Sequence, residues 1–417
     1  MKAVLLAAAA VLAPAAAEAA PCIGPVCNFD TLAPYFARLE AAKHELGTPP
    51  VHILQIGDSH TAGDVTSAAW RQLLQAQAGD GGRGVLPPGR PYDGYLTIGV
   101  TTAMSPGWQV SSTFGKGWSA FHPPLGLSSY SLTSAVPGAT MGLVTDTGHR
   151  FNRFVVCAIA GPTAGLLDVR MSDGSWQQLI FETPTQVPRC ETIRTLAPQT
   201  SVTLAASDRP VTITSWATFD DEGGVALSNL GVVGSQLQHF GRTDDAVIAE
   251  ELRAYAPALI VVAFGTNEGF GPSLDGESYE TVLRAQIARL QRLAPGVPLL
   301  LLGPPDALSG NPALRSAPVL RVAGGGEVAG CPGAKSGGPP LFAPPALALV
   351  RAIQRKVAGD LDLAWWDWQQ RMGGRCSAVR WTDATLMRAD HVHFRNGGGA
   401  LIARFLQDDL NRAAAER

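Results

Sequence analysis

The stretch Val51-His52-Ile53-Leu54-Gln55-Ile56-Gly57-Asp58-Ser59-His60-Thr61-Ala62-Gly63-Asp64 decides the fold. A short run rich in β-branched and aliphatic residues ends in a tight Gly-Asp-Ser turn. Residues 64–77 then place Val65, Ala68, Ala69, Leu73 and Leu74 at helical spacing. Strand, turn and helix follow directly. The alternation returns later, with a helix near 244–255, a strand at Leu259–Phe264, a helix near 277–293 and a strand at Val297–Leu302. A helix near 344–357, a strand near Leu361–Trp366 and a last helix near 397–412 complete it. Strands alternating with amphipathic helices predict an α/β fold with a parallel sheet sandwiched by helices.

Between 85 and 228 the pattern changes. Glycine, proline, serine and threonine punctuate short alternating runs at Phe154–Ile159, Leu166–Met171, Gln178–Phe181, Val202–Ala205 and Val211–Trp216. This predicts a β-rich domain over 85–228, inserted into an α/β domain made of 20–84 and 229–417. Residues 304–343 are rich in glycine and proline and read as a long loop.

The 417 residues carry 32 lysines and arginines against 35 aspartates and glutamates, a net charge of −3 that leaves no basic excess for nucleic acid. Lys2 precedes an apolar run from Ala3 to Ala17, and Ala17-Glu18-Ala19 sets small residues at the cleavage-determining positions. Residues 1–19 therefore read as a secretory signal peptide. The run falls short of the roughly 20 apolar residues that cross a bilayer, so no integral membrane segment is expected after its removal. Export to the periplasm or beyond makes disulfides the expectation for Cys22, Cys27, Cys157, Cys190, Cys331 and Cys376. Six cysteines allow about 15 connectivities, of which nearest-neighbour pairing (22–27, 157–190, 331–376) is the simplest; buried free thiols are the alternative.

Ser59 sits between strand and helix, where open α/β sheets bind ligands, and its hydroxyl there is placed as a nucleophile. A serine at a helix start is also an ordinary N-cap. Asp390-His391-Val392-His393 sets a carboxylate three residues before an imidazole, a spacing that lets the acid hold one ring nitrogen while the other faces a serine. The same residues could instead bind zinc through His391 and His393. Gly234 and Asn267, each after a predicted strand, are candidate donors to an oxyanion. Trp365, Trp366, Trp368 and Trp381 read either as core or as surfaces for sugar rings, and Gly324-Gly325-Gly326 and Gly397-Gly398-Gly399 as flexible connections.

Together, Gly57-Asp58-Ser59, Gly234, Gly265-Thr266-Asn267-Glu268 and Asp390-x-x-His393 resemble the SGNH (GDSL) hydrolases in order and setting. Gly57-Asp58-Ser59-His60-Thr61-Ala62-Gly63-Asp64, Trp366-Asp367-Trp368, Met372-Gly373-Gly374 and Asp390-x-Val392-His393 narrow the resemblance to the bacterial peptidoglycan O-acetylesterases. It covers roughly 51–412, and in 85–228 rests on a β-rich insert similar to a carbohydrate-binding module. His60 and Glu268 replace the superfamily's usual leucine and aspartate. The resemblance implies an SGNH-type, flavodoxin-like sheet and a cofactor-free exported serine esterase acting on an acetylated glycan, peptidoglycan first. It makes Ser59 the nucleophile, His393 the base and Asp390 its orienter, with Ser59, Gly234 and Asn267 forming the oxyanion hole. The alternatives are an esterase for another acetylated polysaccharide or lipid, an O-acetyltransferase, and a non-enzymatic glycan-binding protein.

Overall fold

The computed structural model describes residues 22–44, 47–315, 329–334 and 340–416. The leader and Gly324-Gly325-Gly326 lie outside the described residues. Among them, seven strands form the central sheet: β1 (Cys22–Ile23), β2 (Val26–Cys27), β3 (Val51–Gly57), β4 (Val225–Gly231), β5 (Leu259–Ala263), β6 (Leu299–Leu302) and β7 (Ala364–Trp366). Their spatial order is β1-β2-β7-β6-β5-β3-β4, parallel from β7 to β4. The β1–β2 hairpin adds an antiparallel edge that the sequence pattern did not disclose. Numbered along the chain, the parallel strands lie 2-1-3-4-5, the flavodoxin-like doubly wound order, with its switch point between β3 and β5.

Both faces of β3 are covered, which explains why the strand lacks polar alternation. Val51 and Ile53 pack with α1 (Ala33–Ala42), α2 (Val65–Ala78) and α6 (Asn396–Ala415). Leu54 and Ile56 point the other way, toward α3 (Asp245–Tyr255), α4 (Gly276–Leu293) and α5 (Pro345–Asp360). Trp365, Trp366, Trp368 and Trp381 are all buried, so they are core and not sugar surfaces. Gly397-Gly398-Gly399, expected as a flexible connection, forms the first turn of α6 and packs against Leu386 and Val65. Small residues there allow close helix approach.

Residues 84–219 build two antiparallel sheets. One runs Trp176–Ile180, Leu166–Met171, Ser201–Ala206, Thr140–Thr145, Val100–Met104. The other runs Val187–Gln199, Phe151–Ala160, Val211–Phe219, Tyr130–Ser134, Gln109–Ser112, with Gly84–Leu86 beside Val211–Phe219. A separate apolar core including Leu132, Phe154, Leu167 and Trp216 lies between them. Val187–Gln199 escaped the sequence reading because a strand carrying two prolines, two arginines and a glutamate lacks apolar alternation.

This β-rich unit is welded to the α/β core. Val85, Leu127, Val155, Ala217 and Phe219 share one cluster with Ile56, Leu230, Ile248 and Leu252. Buried Glu251 on α3 accepts from Leu127 N–H (2.6 Å), Thr214 Oγ1 (2.7 Å) and Ser215 Oγ. Asp64 binds Arg71 (3.1 Å), Arg83 (3.0 Å) and Ile98 N–H (2.8 Å) in a second buried cluster. Burial alone would raise the Asp64 carboxyl, but the two guanidiniums outweigh it and hold it below the usual carboxylate range. The disulfides are Cys22–Cys27, Cys157–Cys190 and Cys331–Cys376, the nearest-neighbour set. Among the described residues no helix is long and apolar enough to cross a membrane.

Candidate active site

Ser59 opens the short helix Ser59–Ala62 directly after β3, at the carboxyl edge of the sheet beside the switch point. It is not the N-cap. Asp58 takes that place, its Oδ1 accepting from His60 N–H (2.9 Å), which frees the serine hydroxyl for another partner. Ser59 Oγ lies 3.0 Å from His393 Nε2 across 334 residues of sequence.

His393 comes from a tight turn. His391 N–H donates to Arg388 O (3.1 Å) and Arg388 N–H to His393 O (2.7 Å), while Leu308 N–H, from the Gly- and Pro-rich segment, donates to His391 O (3.1 Å). Asp390 organises the same turn with one oxygen and the imidazole with the other. Oδ1 accepts from Val392 and His393 N–H, both at 2.9 Å, and Oδ2 lies 2.9 Å from His393 Nδ1. Burial would raise the Asp390 carboxyl; the two N–H groups and the ring outweigh it and keep it ionised. With Asp390 on Nδ1, the neutral ring turns a lone pair toward Ser59, the arrangement a general base requires.

The ring stands against His60, with centroids 5.4 Å apart, and His60 itself is wedged by Trp368 and Phe394. Burial first, and then the neighbouring His393, lowers His60 to about 3, so it is a neutral wall that fixes the rotamer of its neighbour. A leucine would supply the same shape without ring-to-ring contact.

Gly234 and Asn267 stand on the turns after β4 and β5, the two strands flanking β3. Gly234 has φ +77°, and a Cβ there would fall 3.1 Å from the Phe114 ring, so its N–H is presented by a backbone that other residues would strain. Asn267 Nδ2 donates to Ser235 O (2.9 Å), and Gln236 Nε2 returns a bond to Asn267 O (3.2 Å). One of the two amide hydrogens of Asn267 is therefore committed to the neighbouring turn and the second can face an oxyanion. Glu268 supplies the brace. Its Oε1 accepts from Leu237 N–H (2.8 Å), tying the Asn267 turn to the Gly234 turn. Burial pushes Glu268 up to about 7, against the Leu237 N–H, and likewise pushes Asp58 up to about 7.

The five site residues read from the sequence thus fall into one edge of the sheet: three in direct contact, two on adjoining turns. The zinc reading fits less well. Both ring nitrogens of His393 are engaged, by Asp390 and Ser59, and among the described residues no three His, Cys, Asp or Glu side chains are grouped to hold an ion. Gln236, Phe114 and Leu308 also belong to the site's support and carry no local signature in the sequence, because distant segments bring them there.

Comparison with known proteins agrees with this geometry at the level of the fold. No family model matches the chain, and no curated protein matches it in sequence. The chain has the SGNH-hydrolase fold with an inserted β-rich unit. It is similar to a solved structure of a peptidoglycan O-acetylesterase, with 22% identity, 94% of this chain and 100% of that one covered, and a TM-score of 0.73. A GDSL-like lipase from Bacteroides thetaiotaomicron (15% identity, 45% of this chain and 76% of that one, TM-score 0.30) is a far weaker match. So is a family two carbohydrate esterase from Cellvibrio japonicus (13%, 75% and 98%, TM-score 0.28), and neither carries an argument here.

Proposed function

We propose that the chain is an exported serine esterase that removes O-acetyl groups from cell-wall peptidoglycan through an acyl-serine intermediate. The observation that carries this is the unbroken line Ser59 Oγ, His393 Nε2, His393 Nδ1, Asp390 Oδ2, with links of 3.0 and 2.9 Å, at the switch point of the sheet. Ser59 Oγ attacks the acetyl carbonyl as His393 takes its proton. The developing oxyanion is met by Ser59 N–H, Gly234 N–H and the Asn267 amide; one such donor typically contributes roughly 3–4 kcal/mol. His393 then gives its proton to the departing sugar oxygen, and the same base activates water against the acetyl-Ser59. The three disulfides and the leader read in residues 1–19 support export. The likeness to a peptidoglycan O-acetylesterase across 94% of the chain supports the substrate.

The test is acetate release by residues 20–417 and by Ser59→Ala from O-acetylated and de-acetylated peptidoglycan, beside an aryl acetate. Wild type should release acetate from the first and the last only, and Ser59→Ala from none. Hydrolysis of the aryl ester with no acetate from peptidoglycan would overturn the substrate assignment. Full activity in Ser59→Ala would overturn the mechanism.

A further inference from the structure

Residues 113–123 leave the β-rich unit after the strand Gln109–Ser112 and come to rest on the turn carrying Gly234. Phe114 anchors them: its ring stacks on His239 at 4.3 Å and 16° and contacts Gly234. Arg242, just beyond that turn, donates to Thr113 O (2.7 Å) and lays its guanidinium 4.1 Å over the Trp118 indole. Trp118 N–H closes the bend on Gly115 O (3.0 Å), and His122 tilts against the indole at 5.2 Å. The result is a fixed segment with unsatisfied apolar surface at its tip. Phe121 is 97% exposed, Trp118 38% and Val233, on the Gly234 turn itself, 56%.

We propose that Trp118 and Phe121 form a stacking platform for a sugar ring of the same glycan strand whose ester lies at Ser59, so that a segment of the β-rich unit sets the preference for polymer over small esters. The inference rests on the esterase reading above. The occupant is argued from position and chemistry. Phe114 pins the segment that carries these rings to the Gly234 turn, where a proposed oxyanion donor stands, so a glycan whose ester lies at Ser59 continues toward that segment. A pyranose offers an apolar C–H face to an aromatic ring and a rim of hydroxyls to the charged guanidinium next to it, whereas an aryl acetate carries no further sugar ring to place there. Arg242 and Phe114 pre-order the segment, which lowers the entropy that binding must offset. Binding energy gained on a remote ring is the kind that raises turnover of a long substrate over a truncated one.

The experiment measures kcat/KM of wild type, Trp118→Ala, Phe121→Ala and the double variant on an O-acetylated monosaccharide, an O-acetylated chitotetraose, O-acetylated peptidoglycan and an aryl acetate. Wild type should prefer the tetrasaccharide to the monosaccharide, and each single variant should cut the ratio of polymer to aryl-ester kcat/KM by about tenfold. The double variant should erase the gain with chain length. Phe121 touches too little of the fold for its loss to unfold it, so Phe121→Ala keeps the test decisive even if Trp118→Ala is unstable. A wild type without chain-length preference, or a preference that survives both substitutions, overturns the platform and leaves the esterase reading standing. No acetate from any glycan, with aryl ester hydrolysed, overturns the esterase-on-glycan reading itself.

Discussion

Replacing Asp390 by asparagine separates the two tasks that its carboxylate performs. Oδ1 accepts the N–H groups of Val392 and His393, both at 2.9 Å, and an asparagine carbonyl oxygen can keep both bonds. The turn should therefore survive. At the other oxygen the change is a reversal, because an amide NH2 now faces His393 Nδ1 where an acceptor stood at 2.9 Å. Nδ1 must then offer its lone pair, and the ring proton moves to Nε2, 3.0 Å from Ser59 Oγ. A ring protonated there cannot take the serine proton. Loss of the correct tautomer costs catalysis roughly 10³–10⁴-fold, about 4–5.5 kcal/mol on the barrier. Since the side chains of His393 and Asp390 are 35% and 43% exposed, solvent screening favours the lower end, near 10³. Steady-state hydrolysis of an aryl acetate reads the rate, and a urea titration reads the fold, which should move by under about 1 kcal/mol. Asp390→Ala, which also removes the oxygen that accepts the Val392 and His393 N–H groups, should lose stability in addition. A kcat for Asp390→Asn within tenfold of wild type, with the fold intact, would refute the tautomer argument and remove Asp390 from the relay.

Two further outcomes follow from buried carboxyls. Glu268 is raised to about 7, so the native state holds a proton that the unfolded chain has already released; stability should therefore fall as pH rises from about 4.5 through 7 and stay low above it. The loss is on the order of 3 kcal/mol for that group. Glu268→Gln, which keeps an acceptor for Leu237 N–H, should flatten the fall in urea midpoints between pH 5 and 8, and an unchanged pH profile would count against it. Glu251→Ala leaves Leu127 N–H and the Thr214 and Ser215 hydroxyls without their acceptor, at roughly 1–3 kcal/mol for each stranded group. The expected sum, about 3–5 kcal/mol once partial rearrangement is allowed, should appear in urea unfolding together with faster proteolysis between 84 and 219. A midpoint within error of wild type would mean that Glu251 does not weld the two units together.

Much of the parallel sheet was readable because its code is local. Val51–Gly57 followed by a helix at 65–78 needs only neighbouring residues to declare itself, and the same holds for Leu259–Ala263 before the helix at 276–293. Asp390 and His393 are three residues apart, so their contact lies within the reach of one turn. The β-rich unit was legible as β but not as two sheets. Val100–Met104 and Thr140–Thr145 pair across 37 to 45 residues, and short serine- and threonine-rich strands carry little signal until their partners cover them.

The sequence alone determined the class of sheet, the presence of a β-rich insert, the reactive side chains on offer at Ser59, Asp390 and His393, and a cysteine count fit for three bridges. Tertiary structure decided which of the chemically able residues meet. Ser59 reaches His393 only because β3 and the 388–393 turn arrive at one sheet edge, a matter of strand order that no local spacing records. It also moved the capping role from Ser59 to Asp58 and placed the conspicuous tryptophans inside, while setting Phe114 of the insert against Gly234. The physical reason is common to all of these. Hydrogen-bond and packing partners, whether two residues apart as in the Asp58 cap or 334 apart as in Ser59 and His393, are chosen by the free energy of the whole core, to which each local segment contributes only a face.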